Sequence, residues 1–245
     1  MNPLVPTLTL YQPVSLASYT ERLICGFTGK PLTLGGLSFP REEILENRRS
    51  LCVELGLNSE KLVVPDQTHS ANIRHHTDST FAQTDAVILT KPDNPAMVVV
   101  ADCVPVILYD PQHHVAALTH AGWRGSAQAI TAKTVARMQA DCKTDPSQLL
   151  AVIGPAIGGC CYEVSEEVAD AVKLSLSGHN PAAFIQLNSA GKPQIDLKTV
   201  NRLQLEACGV GSVEIVPDCT RCQPERLWSY RRGEAGRQAA YLQLL

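Results

Sequence analysis

No run in this 245-residue chain stays apolar for the roughly 20 residues that a bilayer-crossing helix needs. Charge of neither sign dominates. The 21 Lys and Arg stand against 24 Asp and Glu, a formal net charge of -3, so no basic field is available to hold a nucleic-acid backbone. The opening MNPLVPTLTLYQPVSLAS has no basic n-region and carries two early prolines, so no signal peptide is expected and a cytoplasmic location is. The nine cysteines are an odd number without the spacing of a disulfide framework. They are expected as free thiols in a reducing compartment, most of them simply small buried hydrophobes. Repeats, low-complexity segments and long linkers are also missing. What remains is ordinary globular composition, 44% hydrophobic and 18% charged, in one large domain or two small ones. Small molecules are the partners this composition favours.

The periodicity is mixed. Short β-branched runs predict strands at Leu62 to Pro65, Asp85 to Leu89, Met97 to Ala101, Val104 to Tyr109, Val115 to Thr119, Leu149 to Ile153 and Val213 to Val216. Phe184 to Leu187 and Gln194 to Leu197 predict a hairpin around SAGKP. Helices are expected over Ser126 to Gln139, with Ser126 as its cap, from Ser165 onward, and over Lys198 to Ala207. The C-terminal LWSYRRGEAGRQAAYLQLL reads as part loop and part regular element. Strands often follow strands directly, which favours an α+β fold over a strictly alternating one.

Three short polar motifs follow apolar runs: DQTHS with His69, ADC with Cys103 and THAGWRG with His120. Each could sit where a strand ends and a loop presents side chains from a rigid base. Two imidazoles and a thiolate suit Zn²⁺, and three protein ligands with a fourth position open is the pattern of a catalytic site. The spacing alone also fits two surface histidines and a core cysteine. A metal-free alternative makes Cys103 a nucleophile, with His120 or His69 as base and Asp102 or Asp66 as orienter. CTRC at Cys219 to Cys222 matches CxxC, but no second pair at matching spacing accompanies it, so a structural zinc is not expected there. Core packing is the expectation for Cys160 and Cys161. His75, His76, His113 and His114 fall in polar turns and read as surface residues.

The set DQTHS, ADCVPV, THAGWRG, GPAIGGCCYEV, PDCT and WSYRRGEAGRQ resembles the YfiH / laccase-domain family of purine nucleoside phosphorylases, long named polyphenol oxidase or multicopper laccase. The resemblance runs from about Asn47 to Gln238. It implies one α+β domain over 1–245, with layered sheets flanked by helices. It implies one zinc held by His69, Cys103 and His120, with copper as the alternative metal. It also implies phosphorolysis of adenosine, inosine and methylthioadenosine, together with adenosine deamination. Two other activities stand beside these: a cytosolic amidase that edits a muramyl-nucleotide cell-wall precursor, and a copper phenol oxidase. The stretch GFTGKPLTLGGLSFPREEILENRRS is compressed relative to the family, which implies a shorter or rearranged substrate loop.

On this reading His69, Cys103 and His120 are catalytic through the metal, and Asp102 or Asp66 moves the proton. Arg48, Arg124 and Gln67 are the substrate-binding candidates, since an arginine fork suits phosphate. Arg231, Arg232 and Arg237 are expected to tie the C-terminal loop to the fold. Gly122 and Gly125 are expected to let the chain turn sharply.

Overall fold

The computed structural model describes residues 8–36 and 38–245. In chain order the strands are β1 Leu10–Tyr11, β2 Leu23–Thr28, β3 Ile73–His75, β4 Ala86–Leu89, β5 Ala96–Val100, β6 Val104–Asp110, β7 Val115–Ala121, β8 Leu150–Ile153, β9 Ile185–Leu187, β10 Pro193–Ile195, β11 Ser212–Ile215 and β12 Gln238–Leu244. The helices are α1 Arg41–Leu55, α2 Trp123–Ala127, α3 Ile130–Cys142, α4 Glu166–Leu174 and α5 Leu197–Ala207. The architecture is α+β, as the sequence predicts.

A six-stranded sheet runs β11-β8-β6-β7-β4-β3, and a four-stranded antiparallel sheet runs β1-β2-β12-β5. Only β11 with β8 and β3 with β4 pair in parallel within the larger sheet. The two sheets pack face to face. Alternate residues of β6 and β7 go to opposite sides: Val106 and Leu108 join one apolar cluster, Ile107 and Tyr109 the other. The first cluster lies under α3, α4 and α5, through Val135, Val172 and Val200. The second lies between the sheets, against Phe27, Val98 and Leu242. Burial on both faces explains why these strands read as continuous apolar runs rather than as alternating ones.

The outer face of the smaller sheet is covered by α1, whose Leu51 packs with Leu34 and Met97. This helix is not evident from the sequence: its buried stripe is narrow, and most of REEILENRRSLCVEL faces solvent. Nor is the single helix expected over Ser126 to Gln139 observed. Ala129 sits in the left-handed region at φ 55°, ending α2 and starting α3, while the apolar spacing carries on across the break. Ser126 is not a cap but a buried residue, accepting from Asn201 Nδ2 through Oγ and from Gln204 Nε2 through its carbonyl. Leu62 to Pro65 forms only a bridge from Val63 to Ala96. The C-terminal segment resolves into a loop followed by β12, which lies inside the smaller sheet.

Candidate metal centre and active-site cleft

Strand register builds the site. In the β6–β7 pair Pro105 stands opposite His120, which puts Cys103, just before β6, beside the end of β7. In the β4–β7 pair Ala86 stands opposite Thr119, which puts Asp85 beside His120 from the other side. The backbone N–H of His120 donates to the Asp85 carbonyl at 2.7 Å. The ligand atoms of His69, Cys103 and His120 lie within 4.8 Å of one another. Cys103 Sγ is 3.7 Å from His69 Nε2, and the two imidazoles meet edge to face at 4.9 Å between centroids.

Asp85 organises this group and was not singled out by sequence reasoning. The carboxylate is fully buried and accepts from the N–H groups of Thr68, His69 and Ser70, from Ser70 Oγ, and from His120 Nδ1 at 2.7 Å. Those backbone bonds hold the turn in which His69 adopts φ 60°, a conformation that costs an L-residue roughly 1–2 kcal/mol. The His120 bond fixes the tautomer and leaves Nε2 as the ring nitrogen open to a metal. An aspartate at the head of an apolar run reads as a turn residue, so only the five donors converging on it reveal the role.

The electrostatics favour a cation. Burial pushes the Cys103 thiol up, but the neighbouring His120 cation and hydrogen bonds from both histidines outweigh it and bring the thiol to about 6. Burial likewise lowers His120, yet the Cys103 thiolate and Asp85 raise it to about 9. The Asp85 carboxyl, despite burial, is held at about 2 by His120 and Ser70. A thiolate, an imidazole and a carboxylate aligned in this way form a donor set that a divalent metal can occupy by displacing the imidazolium proton. The residues present therefore fit a metal.

The glycines act through space rather than through dihedral freedom. The chain turns from β7 straight into α2 at Gly122, as expected, but neither Gly122 nor Gly125 needs positive φ to do so. A Cβ on Gly122 would stand 2.6 Å from His69 Cδ2 and 3.1 Å from Cys103 Sγ, so the strand end must be bare for the ligands to approach it. Asp102, by contrast, does have φ 86°. Its two carboxylate oxygens are taken by Thr220 Oγ1 at 2.5 Å and the Arg231 N–H at 2.7 Å, and its carbonyl accepts from Ile157 N. The expected proton-moving role gives way to an anchoring one: Asp102 pins the turn that presents Cys103. Gln67 is also held by the backbone. Its amide exchanges two hydrogen bonds with the Val99 backbone, which hold the side chain against β5 at the wall of the cleft and leave one N–H and one lone pair over.

The three ligands open into a cleft of about 1030 Å³. Arg48, Arg124, Arg231 and Arg237 line it. Arg48 Nε donates to the Leu34 carbonyl at 2.9 Å, and burial lowers its pKa. Arg124, Arg231 and Arg237 lie over the rings of Trp123, Tyr162 and Tyr230 at 4.3, 4.7 and 5.7 Å. All three arginines of the C-terminal loop tie it down as predicted: Arg232 through the carbonyls of Thr220, Arg221 and Leu227, Arg231 through that of Glu163, and Arg237 through those of Ala235 and Gly236. The compressed N-terminal stretch contributes Gly35, Gly36 and Phe39 to the cleft wall. Exposed Asp66 also lines it.

The remaining histidines of the polar turns are engaged elsewhere: His75 with Asp141, His113 with Asp110, and His114 with Tyr109. One further expectation holds only in part. Cys160 is exposed rather than core, half-buried Cys161 does pack against the larger apolar cluster, and both gather with Cys219 and Cys222. Among the described residues no helix is long and apolar enough to cross a membrane.

The sequence and the fold have known counterparts. The chain is 36% identical over 217 residues to a protein of Geobacillus stearothermophilus named purine nucleoside phosphorylase YlmD, covering 82% of this chain and 79% of the relative. It is 32% identical to adenosine deaminase RL5 from an unknown prokaryotic organism, covering 77% and 76% of the two chains. The crystal structure of YlmD from Geobacillus stearothermophilus superposes with a TM-score of 0.82 at 30% identity, over 91% of this chain and 92% of that one. Residues 39–245 match the family model described as multi-copper polyphenol oxidoreductase laccase, and the chain belongs to that family.

Proposed function

We propose that the chain is a zinc-dependent purine nucleoside phosphorylase with adenosine deaminase activity, acting in the cytoplasm on adenosine, inosine and S-methyl-5'-thioadenosine. The observation that carries this reading is the convergence of His69, Cys103 and His120 at an arginine-lined cleft. The names of the relatives support it. Zinc bound there would supply a Lewis acid that polarises oxygen and acidifies water.

The chain's own residues do the rest. Arg48 and Arg124, with Arg231 and Arg237 beside them, hold the phosphate; a guanidinium fork matches its oxygens. The rings of Trp123, Tyr162 and Tyr230 offer faces for the purine and ribose. In phosphorolysis a phosphate oxygen bonds to C1' as the C1'–N9 bond breaks, and the electron pair leaves on the purine, which takes up a proton. Asp66, the exposed cleft carboxyl, is assigned the proton transfers of both reactions. Asp102 positions Cys103, and Asp85 positions His69 and His120.

The family's multi-copper description is not carried over. Multicopper electron transfer needs several histidine clusters. Among the described residues only His69, Cys103 and His120 bring histidine into a metal-holding group. The test is incubation with adenosine, with and without phosphate. Free adenine plus ribose 1-phosphate, formed only with phosphate, and inosine formed without it, are expected. Neither product, with release of serine from a muramyl-serine nucleotide instead, would replace this reading with the amidase.

A further inference from the structure

We propose that Cys160, Cys161, Cys219 and Cys222 form a second, closed metal site that holds one zinc ion as a tetrathiolate and clamps the loop after β8 to the loop after β11. This site is separate from the His69 centre and does not depend on the function proposed above.

The topology brings the four residues together. Strands β8 and β11 are parallel neighbours, so their loops leave the same end of the sheet, and a bridge from Ala156 to Cys219 carries the pairing into the loops. The Sγ atoms of all four cysteines lie within 4.8 Å of one another. Cys160 and Cys161 are 3.7 Å apart, Cys160 and Cys222 3.8 Å, and Cys161 and Cys222 3.4 Å. A tetrahedron with Zn–S bonds of about 2.3 Å has edges of about 3.8 Å. A disulfide would instead draw one pair to about 2.05 Å and release the others. Iron–sulfur clusters distribute their thiolates over different irons, farther apart than these atoms stand. A single soft ion with four thiolates matches the spacing, and zinc is the structural metal that takes four cysteines.

The surroundings are built for thiolates. The Gly158 N–H donates to Cys219 Sγ at 3.2 Å, the kind of backbone contact that steadies a metal-bound sulfur. A Cβ on Gly158 would meet Cys160 Sγ at 3.2 Å, so the bare glycine admits the cluster. Buried Lys198 is pinned at the root of the second loop by the carbonyls of Val216, Pro217 and Asp218, and its charge opposes that of the thiolates. A divalent ion would supply the further positive charge that four thiolates require.

The clamp lies behind the active-site cleft. Thr220, between two of these cysteines, donates to Asp102, and Ile157, on the other loop, donates to the carbonyl of the same residue. A metal here would hold the wall from which Cys103 is presented.

The test is metal content by mass spectrometry on full-length protein purified with reductant, for wild type, for Cys161→Ala with Cys222→Ala, and for His69→Ala with His120→Ala. The cysteine variant is expected to lose one zinc per chain that the histidine variant keeps. Cobalt substitution of the histidine variant reads the same site without touching the cysteines, and should give intense sulfur-to-cobalt charge transfer with tetrahedral d–d bands. Zinc content unchanged by the cysteine substitutions, no cobalt–sulfur absorption in the histidine variant, or a disulfide joining any two of the four would overturn the proposal. Failure of the His69 centre to hold zinc would leave the cysteine-dependent equivalent in place, so the two readings fail separately.

Discussion

Replacing Asp85 with asparagine keeps the shape of the buried hub but exchanges one acceptor oxygen for an amide that donates. Two orientations are available. With the amide nitrogen at the Oδ1 position, the His69 N–H loses its acceptor, and His120 Nδ1 must accept rather than donate. With the nitrogen at the Oδ2 position, the N–H groups of Thr68 and Ser70 are both orphaned, while Ser70 Oγ can turn to accept. A buried donor without a partner costs about 1–3 kcal/mol. The first orientation loses one such bond and the second two, so the first is favoured, at about 1–3 kcal/mol of stability. It also moves the His120 proton to Nε2, the nitrogen a metal would use. Loss of a ligand-orienting partner typically weakens metal affinity about 10–100-fold. Urea unfolding of the metal-free protein measures the first quantity, competition with a chromophoric chelator the second, and ¹⁵N NMR of His120 the tautomer. A variant that is destabilised as expected but binds zinc like wild type would refute the tautomer argument. A variant unchanged in both would show that the hub has no energetic role.

Gly122→Ala should fold, since its φ of -70° suits alanine, but it should bind zinc more weakly because the new methyl presses on His69 and Cys103; chelator competition reads this. Ile107→Ala, whose side chain on β6 lies between the two sheets, should cost about 2–5 kcal/mol in chemical denaturation. Arg48→Ala should raise KM for phosphate more than KM for the nucleoside, and an equal rise in both would argue against its anion role. Asp110 is fully buried, which raises its carboxyl, but the N–H groups of His113 and Gln112 and the His113 ring outweigh this and hold it below the ordinary 3.8. A depressed carboxyl stabilises the fold above pH 3.8, and that contribution is lost as the pH falls through the lower folded value. Asp110→Asn should therefore lower neutral stability and flatten its acid dependence, as followed by unfolding at stepped pH.

The larger sheet was legible because its central strands are short, β-branched and bounded by polar motifs. Helix α1 was not, because a helix lying on the outside of a sheet needs only a narrow stripe, here centred on Leu51, and the rest of its residues carry no period. The break at Ala129 was hidden for a different reason. Apolar spacing reports which residues face the core, and that face stays continuous through the single left-handed residue dividing α2 from α3.

The site divides along a similar line. Each metal-ligand candidate carries a local signature, a polar motif following an apolar run, so His69, Cys103 and His120 can be read one at a time. Asp85 has no local signature, and the CxxC of Cys219 and Cys222 shows only half of the four-cysteine group, since the meaning of both comes from pairing between distant segments. Antiparallel register makes the first of these pairings. Because β7 runs back alongside both β6 and β4, its last residues must lie between the residue preceding β6 and the residue preceding β4. His120 therefore falls between Cys103 and Asp85 without help from any loop. A slip of one residue in β7 would turn His120 to the opposite face of the sheet and exchange the two sets of core side chains. The burial of both faces, which disguised these strands as featureless apolar runs, is therefore also what locks the register and holds the ligands together.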